Sequence, residues 1–321
     1  MKDNSLVPAN QIWYTTVDGK PIDLSESTLG EPVSNTYNDG KGVAVFEEPI
    51  ECIEENAFEY CETLQKIVIP ESVTEIGESA FKDCTGLEEI VIPEGVATIG
   101  MSAFDGCSGL KKVVIPSTVT EIASGAFYGC SSLNEIDIPS GITYMHSSAF
   151  GRCTGIRKIA IPSSVTKIYD GAFEGCTGLE EIVIPESVTR IGKHAFVRCV
   201  NIKAIYVPQG SVDFYKEFFP RYMSWVVVEE GSDRPAKPEI VAKDILFSIR
   251  VITLDNETDS NILSLVKKKL EYMTDDEIVE WIVEHLEAIT DSKEPYDEDE
   301  DAEEAECYKL PSYEYEDDEE D

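Results

Sequence analysis

Seven Ala-Phe pairs recur at an unvarying spacing of 23 residues, with their rings at Phe58, Phe81, Phe104, Phe127, Phe150, Phe173 and Phe196. Each ring is followed three residues later by a cysteine, from Cys61 through Cys84, Cys107, Cys130, Cys153 and Cys176 to Cys199. Eight residues after each cysteine stands an Ile or Val, then a proline, from Pro70 to Pro208. A fixed period in the range of about 20 to 50 residues specifies stacked units that each bury one face against the next copy. The chain is therefore read as a repeat solenoid, and its function is sought on an extended surface rather than in a cleft.

Within one repeat, Leu64, Ile67 and Ile69 make a short strand that stops at Pro70, which has no N–H to give to a ladder. Val73 and Ile76 predict a second short extended segment, closed by Gly77. Ala80, Phe81 and Cys84 fall at helical spacing, which predicts one turn of helix packing its ring inward. One coil cannot cover three apolar sides alone, so stability must come from stacking. The seven strands are expected to form a single parallel sheet about 30 Å long.

The formal charge is -37, from 63 acidic against 26 basic residues. Nucleic acid and anionic membrane both demand clustered Lys and Arg, so neither is expected as a partner. No apolar run approaches the roughly 18 residues of a membrane span, so membrane insertion is not expected. Residues 1–6 lack the apolar stretch of a secretory signal, which taken alone implies a cytoplasmic chain. Seven of the nine cysteines occupy one inward position beside the Phe, so they are expected as buried free thiols. Cys52, in an outward column, and Cys307, in the acidic C-terminal stretch, are expected to be the accessible ones.

The period, the L-x-x-I-x-I-P strand and the A-F-x-x-C turn together resemble the BspA-type leucine-rich-repeat family over roughly residues 50–208. Ile12-Trp13-Tyr14-Thr15-Thr16-Val17-Asp18-Gly19-Lys20 and Ser34 to Gly42 look like the N-terminal cap of bacterial members, and Tyr206 to Tyr215 looks like the closing segment. Independently of family, the Asp18-Gly19 and Asp39-Gly40 pairs are hairpin-turn signals. The resemblance implies a right-handed leucine-rich-repeat coil with a parallel β-sheet and short helical turns, capped at both ends. It also implies a protein that binds proteins or extracellular-matrix components at a cell surface or after secretion.

Outward residues of the strand segment form three columns. The second reads Lys66, Glu89, Lys112, Glu135, Lys158, Glu181, Ala204, with opposite charges at each charged step, which fixes stacking register. The first places Glu88 beside Lys111, and Glu180 between Arg157 and Lys203. The third reads Val68, Val91, Val114, Asp137, Ala160, Val183, Tyr206. Such an apolar stripe suits flat contact with a protein, and its valines equally suit a strand. Tyr144, His146 and Tyr169 replace the usual charged residue and glycine, which marks either a local binding spot or drift at a tolerant edge.

Three histidines, at 146, 194 and 285, offer no nucleophile-base-carboxylate set, and no phosphate loop or calcium loop is present, so neither catalysis nor a cofactor is expected. The domain reading is an N-terminal cap at 1–49 and the solenoid with its C-terminal cap at 50–230. A linker and a small strand-helix-helix module at 231–291 and a disordered acidic tail at 292–321 follow. The leading expectation is a non-enzymatic, adhesion-type scaffold for a protein or matrix partner. The alternative is an intracellular or phage-encoded structural scaffold that uses the acidic tail for interaction. Oligomeric state is left open.

Overall fold

A computed structural model of the chain describes residues 7–25, 27–192, 194–218 and 227–231. The strand-helix-helix module, the acidic tail and Cys307 lie outside the described residues. Each repeat makes one coil, and the seven coils run from Cys52–Ile53 of coil one, through its Phe58 turn to Leu64–Val68, and on to Ala204–Val207 of coil seven. Identical positions stack in register: Ile67 lies beside Ile90 and Ile90 beside Val113 on the main strand face, all in parallel pairing. A second, two-residue ladder stacks Ile53, Ile76 and Ile99 in the same way. All seven phenylalanines and the Leu and Ile of the coils are buried in one continuous core, except Ile115 and Ile138, which are partly buried against it.

The Phe side of the coil differs from the sequence expectation. The turns contain no helix, and the only helix among the described residues is α1 (Val212–Lys216). Two positions four residues apart take positive φ in the first six turns, as at Asn56 and Tyr60, Ser79 and Asp83, Ser148 and Arg152. Between them the chain makes short i to i−3 bonds, such as Cys61 N–H to the Phe58 carbonyl at 3.1 Å. The remaining donors reach the next coil: Phe58 N–H to the Ala80 carbonyl at 2.7 Å and Tyr60 N–H to the Lys82 carbonyl at 2.8 Å. A helix would spend those donors within its own turn, whereas here they knit the stack. The spacing of Ala80, Phe81 and Cys84 fits both arrangements, which is why spacing alone misassigned it.

Consecutive phenylalanine rings stack face to face, with centroids 5.1 to 5.8 Å apart and planes within 9° of parallel. Beside this column, each buried cysteine from Cys84 to Cys199 donates its thiol to the carbonyl of the Phe one coil back, at 3.0 to 3.2 Å. The thiol is small enough for the site and still satisfies an oxygen that burial would otherwise leave with a spare lone pair. All eight cysteines among the described residues are free.

The main sheet is not one sheet of seven strands. Residues 133–137 of coil four pair with coil three at one isolated bridge, Lys112–Glu135, and are not paired with Lys158–Ala160 of coil five. The short ladder is interrupted at the same junction, between Glu121–Ile122 and Tyr144–Met145. Coil four combines several unfavourable choices for a strand. Asn134 and Asp137 are poor strand formers. Ser132 stands where coils two, three, five and six have Gly86, Gly109, Gly155 and Gly178, and an added Cβ at those glycines falls 2.1 to 2.7 Å from a carbonyl of the preceding coil. Asn201 of coil seven also breaks that rule yet keeps its pairing, so the serine acts together with Asn134 and Asp137. Asn134 N–H accordingly stretches to 3.5 Å from the Lys111 carbonyl, where the matching Glu88 bond to Gln65 is 2.9 Å.

Both ends are covered. Strands β1 (Gln11–Thr16), β2 (Ser34–Asn38) and β3 (Lys41–Val45) form an antiparallel unit, and β1 pairs antiparallel with Leu64–Val68. Asp39 and Gly40, both at positive φ, make the two-residue turn between β2 and β3. Asp18-Gly19 is a turn but joins no hairpin, because β1 lies between β3 and the first coil instead of beside β2. At the far end Val227–Glu229 adds a parallel strand to Ala204–Val207. The buried Tyr215 of α1 donates its hydroxyl to the Val188 carbonyl at 2.8 Å.

Candidate partner-binding surface

The two inner outward columns of the strand face are largely closed by lateral ion pairs. Lys66 reaches Glu89 at 3.6 Å, Lys111 reaches Glu88 at 3.4 Å, and Lys158 reaches Glu181 at 2.6 Å. Glu180 bridges Arg157 at 3.1 Å and Lys203 at 2.7 Å, and these hydrogen-bonded cations hold its carboxyl below the usual carboxylate range. Glu88 is lowered similarly by Gln65 and Lys111. Ala204, the last member of the second column, is buried.

The third column divides. Val68 is only 6% exposed, because β1 pairs Trp13 opposite it, so the N-terminal cap removes it from any surface. Val91 and Tyr206 are half-buried, while Asp137 and Ala160 are exposed and Val114 and Val183 are 41% and 36% exposed. These six side chains fall into two runs, Val91 with Val114 and Ala160 with Val183 and Tyr206, separated at Asp137 where the sheet itself is interrupted.

A different arrangement occupies the short ladder. Tyr144, Lys167 and Arg190 are successive register partners. The next outward column carries His146 and Tyr169 where coils two, three and seven carry Gly77, Gly100 and Gly192. An added Cβ at those glycines falls 2.7 to 2.8 Å from the backbone of the preceding coil, so this edge is not a tolerant one. The pairing is lost where Ala123 would face His146, whereas the strands leading to His146 and Tyr169 keep theirs. His146 is buried at 5% exposure and stacks on Tyr169 at 5.7 Å, and Tyr144 packs edge-on against both rings at about 6 Å. The Lys167 ammonium lies 6.0 Å from the Tyr169 ring centre. Sequence reading found the three aromatic residues and missed Lys167 and Arg190, whose adjacency as like charges was the available signal.

His194 pairs with Asp170 at 2.9 Å on the open surface, one coil beyond Tyr169. Among the described residues, no group of three or more His, Cys, Asp or Glu side chains could hold a metal ion, and no helix is long and apolar enough to cross a membrane.

The profile of the BspA-type leucine-rich-repeat region matches in six copies over residues 44–131 and 97–224, more than half of the chain. The chain belongs to that family. Members of the BspA type are repeat scaffolds, and the coil stack described above is the fold they share. Among solved structures, a leucine-rich cell surface protein from Faecalibacterium prausnitzii A2-165 is similar at 28% identity and a TM-score of 0.39, over 59% of this chain and 62% of that one. A leucine-rich-repeat protein of T. pallidum is similar at 26% identity and a TM-score of 0.35, over 48% of this chain and 73% of that one. One from Bacteroides ovatus ATCC 8483 is similar at 23% identity and a TM-score of 0.31, over 56% and 62%. This BspA-type chain thus spans less than two thirds of the length of the Faecalibacterium protein. No curated protein matches it.

Thiol access in this family member is more restricted than its cysteine count suggests. Cys52 and Cys61 are half-exposed, Cys61 because no earlier Phe turn covers it, and burial together with nearby carboxylates pushes both thiols up to about 11. Cys61 is therefore a correction to the expected core column. Under native conditions at neutral pH, a maleimide should modify these two slowly and spare Cys84 to Cys199, with all becoming reactive after denaturation without reductant. Mass mapping of the adducts checks this, and rapid native labelling of any rung from Cys84 onward would contradict the core.

Proposed function

We propose that this protein is a non-enzymatic, adhesion-type scaffold that engages a protein or matrix partner through its strand face. The contact is Val91, Val114, Asp137, Ala160, Val183 and Tyr206. The observation that carries this reading is the exposure of Val114 and Val183 on a strip beside which most of the charges, Lys112 and Glu135 apart, are engaged in lateral ion pairs. A partner meeting that strip gains apolar burial while stripping water from few charges. Asp137, standing where the sheet is interrupted, supplies a polar point that fixes orientation on an otherwise uniform surface.

The test is a binding screen of the full chain against immobilised matrix proteins and bacterial surface proteins. The partner it identifies is expected to lose about tenfold or more in affinity with Tyr206→Ala or Asp137→Lys, in line with central contact residues. An interaction unaffected by these changes and by Val114→Glu would place the contact elsewhere on the coil.

A further inference from the structure

The chain's charge is divided unequally along the coils. Residues 44–131 contain 4 Lys or Arg against 16 Asp or Glu, whereas residues 151–204 contain 8 against 5, a local excess of positive charge in a chain of net -37. The short-ladder face shows the same change within one column, from Glu75 and Glu121 in coils two and four to Lys167 and Arg190 in coils six and seven. Like charges side by side on a ladder oppose stacking. Beside them, His146 and Tyr169 occupy a column in which coils two, three and seven have glycine, His146 at the junction where the ladder is lost. Both departures occur on one face.

We propose that Tyr144, Tyr169, Lys167 and Arg190 form a second docking surface, separate from the strand face, for an extended acidic polypeptide that carries aromatic side chains. Tyr144, Lys167 and Arg190 lie in a row along the stacking direction, one per coil, which suits a segment running across the coils. The cations meet its carboxylates, and the half-buried rings of Tyr144 and Tyr169 offer faces and edges to its aromatic groups. The buried His146 ring, stacked against Tyr169, acts as a positioning residue that holds the platform in place. Nothing in this assignment depends on the strand-face reading.

The experiment measures fluorescence anisotropy of a labelled, alternating Glu-Tyr peptide titrated with the full chain. The double variant Lys167→Glu/Arg190→Glu should weaken binding by at least about tenfold, and Tyr169→Ala by about fivefold. The uncharged pair Lys167→Gln/Arg190→Gln should fall between wild type and the Glu pair, with melting temperatures showing that each variant is folded. Tyr206→Ala, on the strand face, should leave peptide affinity unchanged, so failure here is distinguishable from failure of the strand-face proposal. Equal affinity of wild type and the folded Gln pair would overturn the proposal. So would binding of a sulfated polysaccharide in place of the peptide, or self-association of the chain abolished by the same variants, which would assign the face to a second copy.

Discussion

Raising the pH from about 7 to about 9.5 under reducing conditions is expected to destabilise the coil progressively, through its buried thiols. Burial raises Cys84, Cys130, Cys153 and Cys199 well above the ordinary thiol range and pushes Cys176 up to about 12. In the unfolded chain each titrates near 8.5. Between about 8.5 and the raised folded values, the folded state keeps protons that the unfolded state releases, so stability is full below that window and falls as pH rises through it. The slope approaches about 1.4 kcal/mol per pH unit for each thiol. Denaturant melts at a series of pH values measure it directly, and replacing Cys130 by Ala should remove about one fifth of these five thiols' contribution to the slope. A stability that stays flat between pH 8 and 10 would mean that these thiols are not sealed in the core.

Phe127→Ala is expected to cost about 3 to 5 kcal/mol through the cavity it leaves, and its effect should differ in kind from that of the same change at Phe81. The ring of Phe127 touches both neighbours, at 5.2 and 5.5 Å, and its carbonyl receives the thiol of Cys153 at 3.1 Å. Coils four and five have lost both sheet ladders, so the Phe side carries their junction: Gly125, Phe127 and Gly129 N–H groups reach the next coil at 2.8 to 2.9 Å. In a stack where stability is a sum of coils and neighbour contacts, the weakest interface sets where cooperativity breaks. The Phe127→Ala protein should therefore unfold in two steps, divided between coils four and five. Phe81→Ala, in a region with both ladders intact, should lower the midpoint of a single transition.

Much of this fold could be read from residues alone, because the repeat is a physical statement that each inward side chain meets its own copy. The Phe column, the Leu and Ile of the strand, the proline stop and the cap hairpin at Asp39-Gly40 all follow from local chemistry. The turn was misread because Ala80, Phe81 and Cys84 sit at helical spacing while the direction of the backbone donors is invisible in spacing. The recurrent Asn, Asp, Ser and Gly at the positive-φ positions were the available signal against a helix. Val68 could not be recognised as buried, since nothing in its own repeat says that β1 lies across it. The interruption at coil four was partly legible in Asn134, Asp137 and the missing glycine at Ser132, but a strict period invites averaging over such departures. At the candidate surface, composition located Tyr144, His146 and Tyr169, whereas the cost of placing rings in that column becomes visible only from the backbone approach at Gly77, Gly100 and Gly192.

The Phe-Cys side is the continuous spine of the coil, while both ladders are interrupted between coils four and five. Amide hydrogen exchange of the native chain tests it most directly, residue by residue. Slow exchange is expected at Phe104, Phe127, Phe150 and Phe173, whose N–H groups all bond to the next coil at 2.7 to 2.9 Å, together with fast exchange across 134–138. Exchange across 134–138 as slow as at Glu89–Val91, with the Phe127 and Phe150 amides exchanging early, would contradict it.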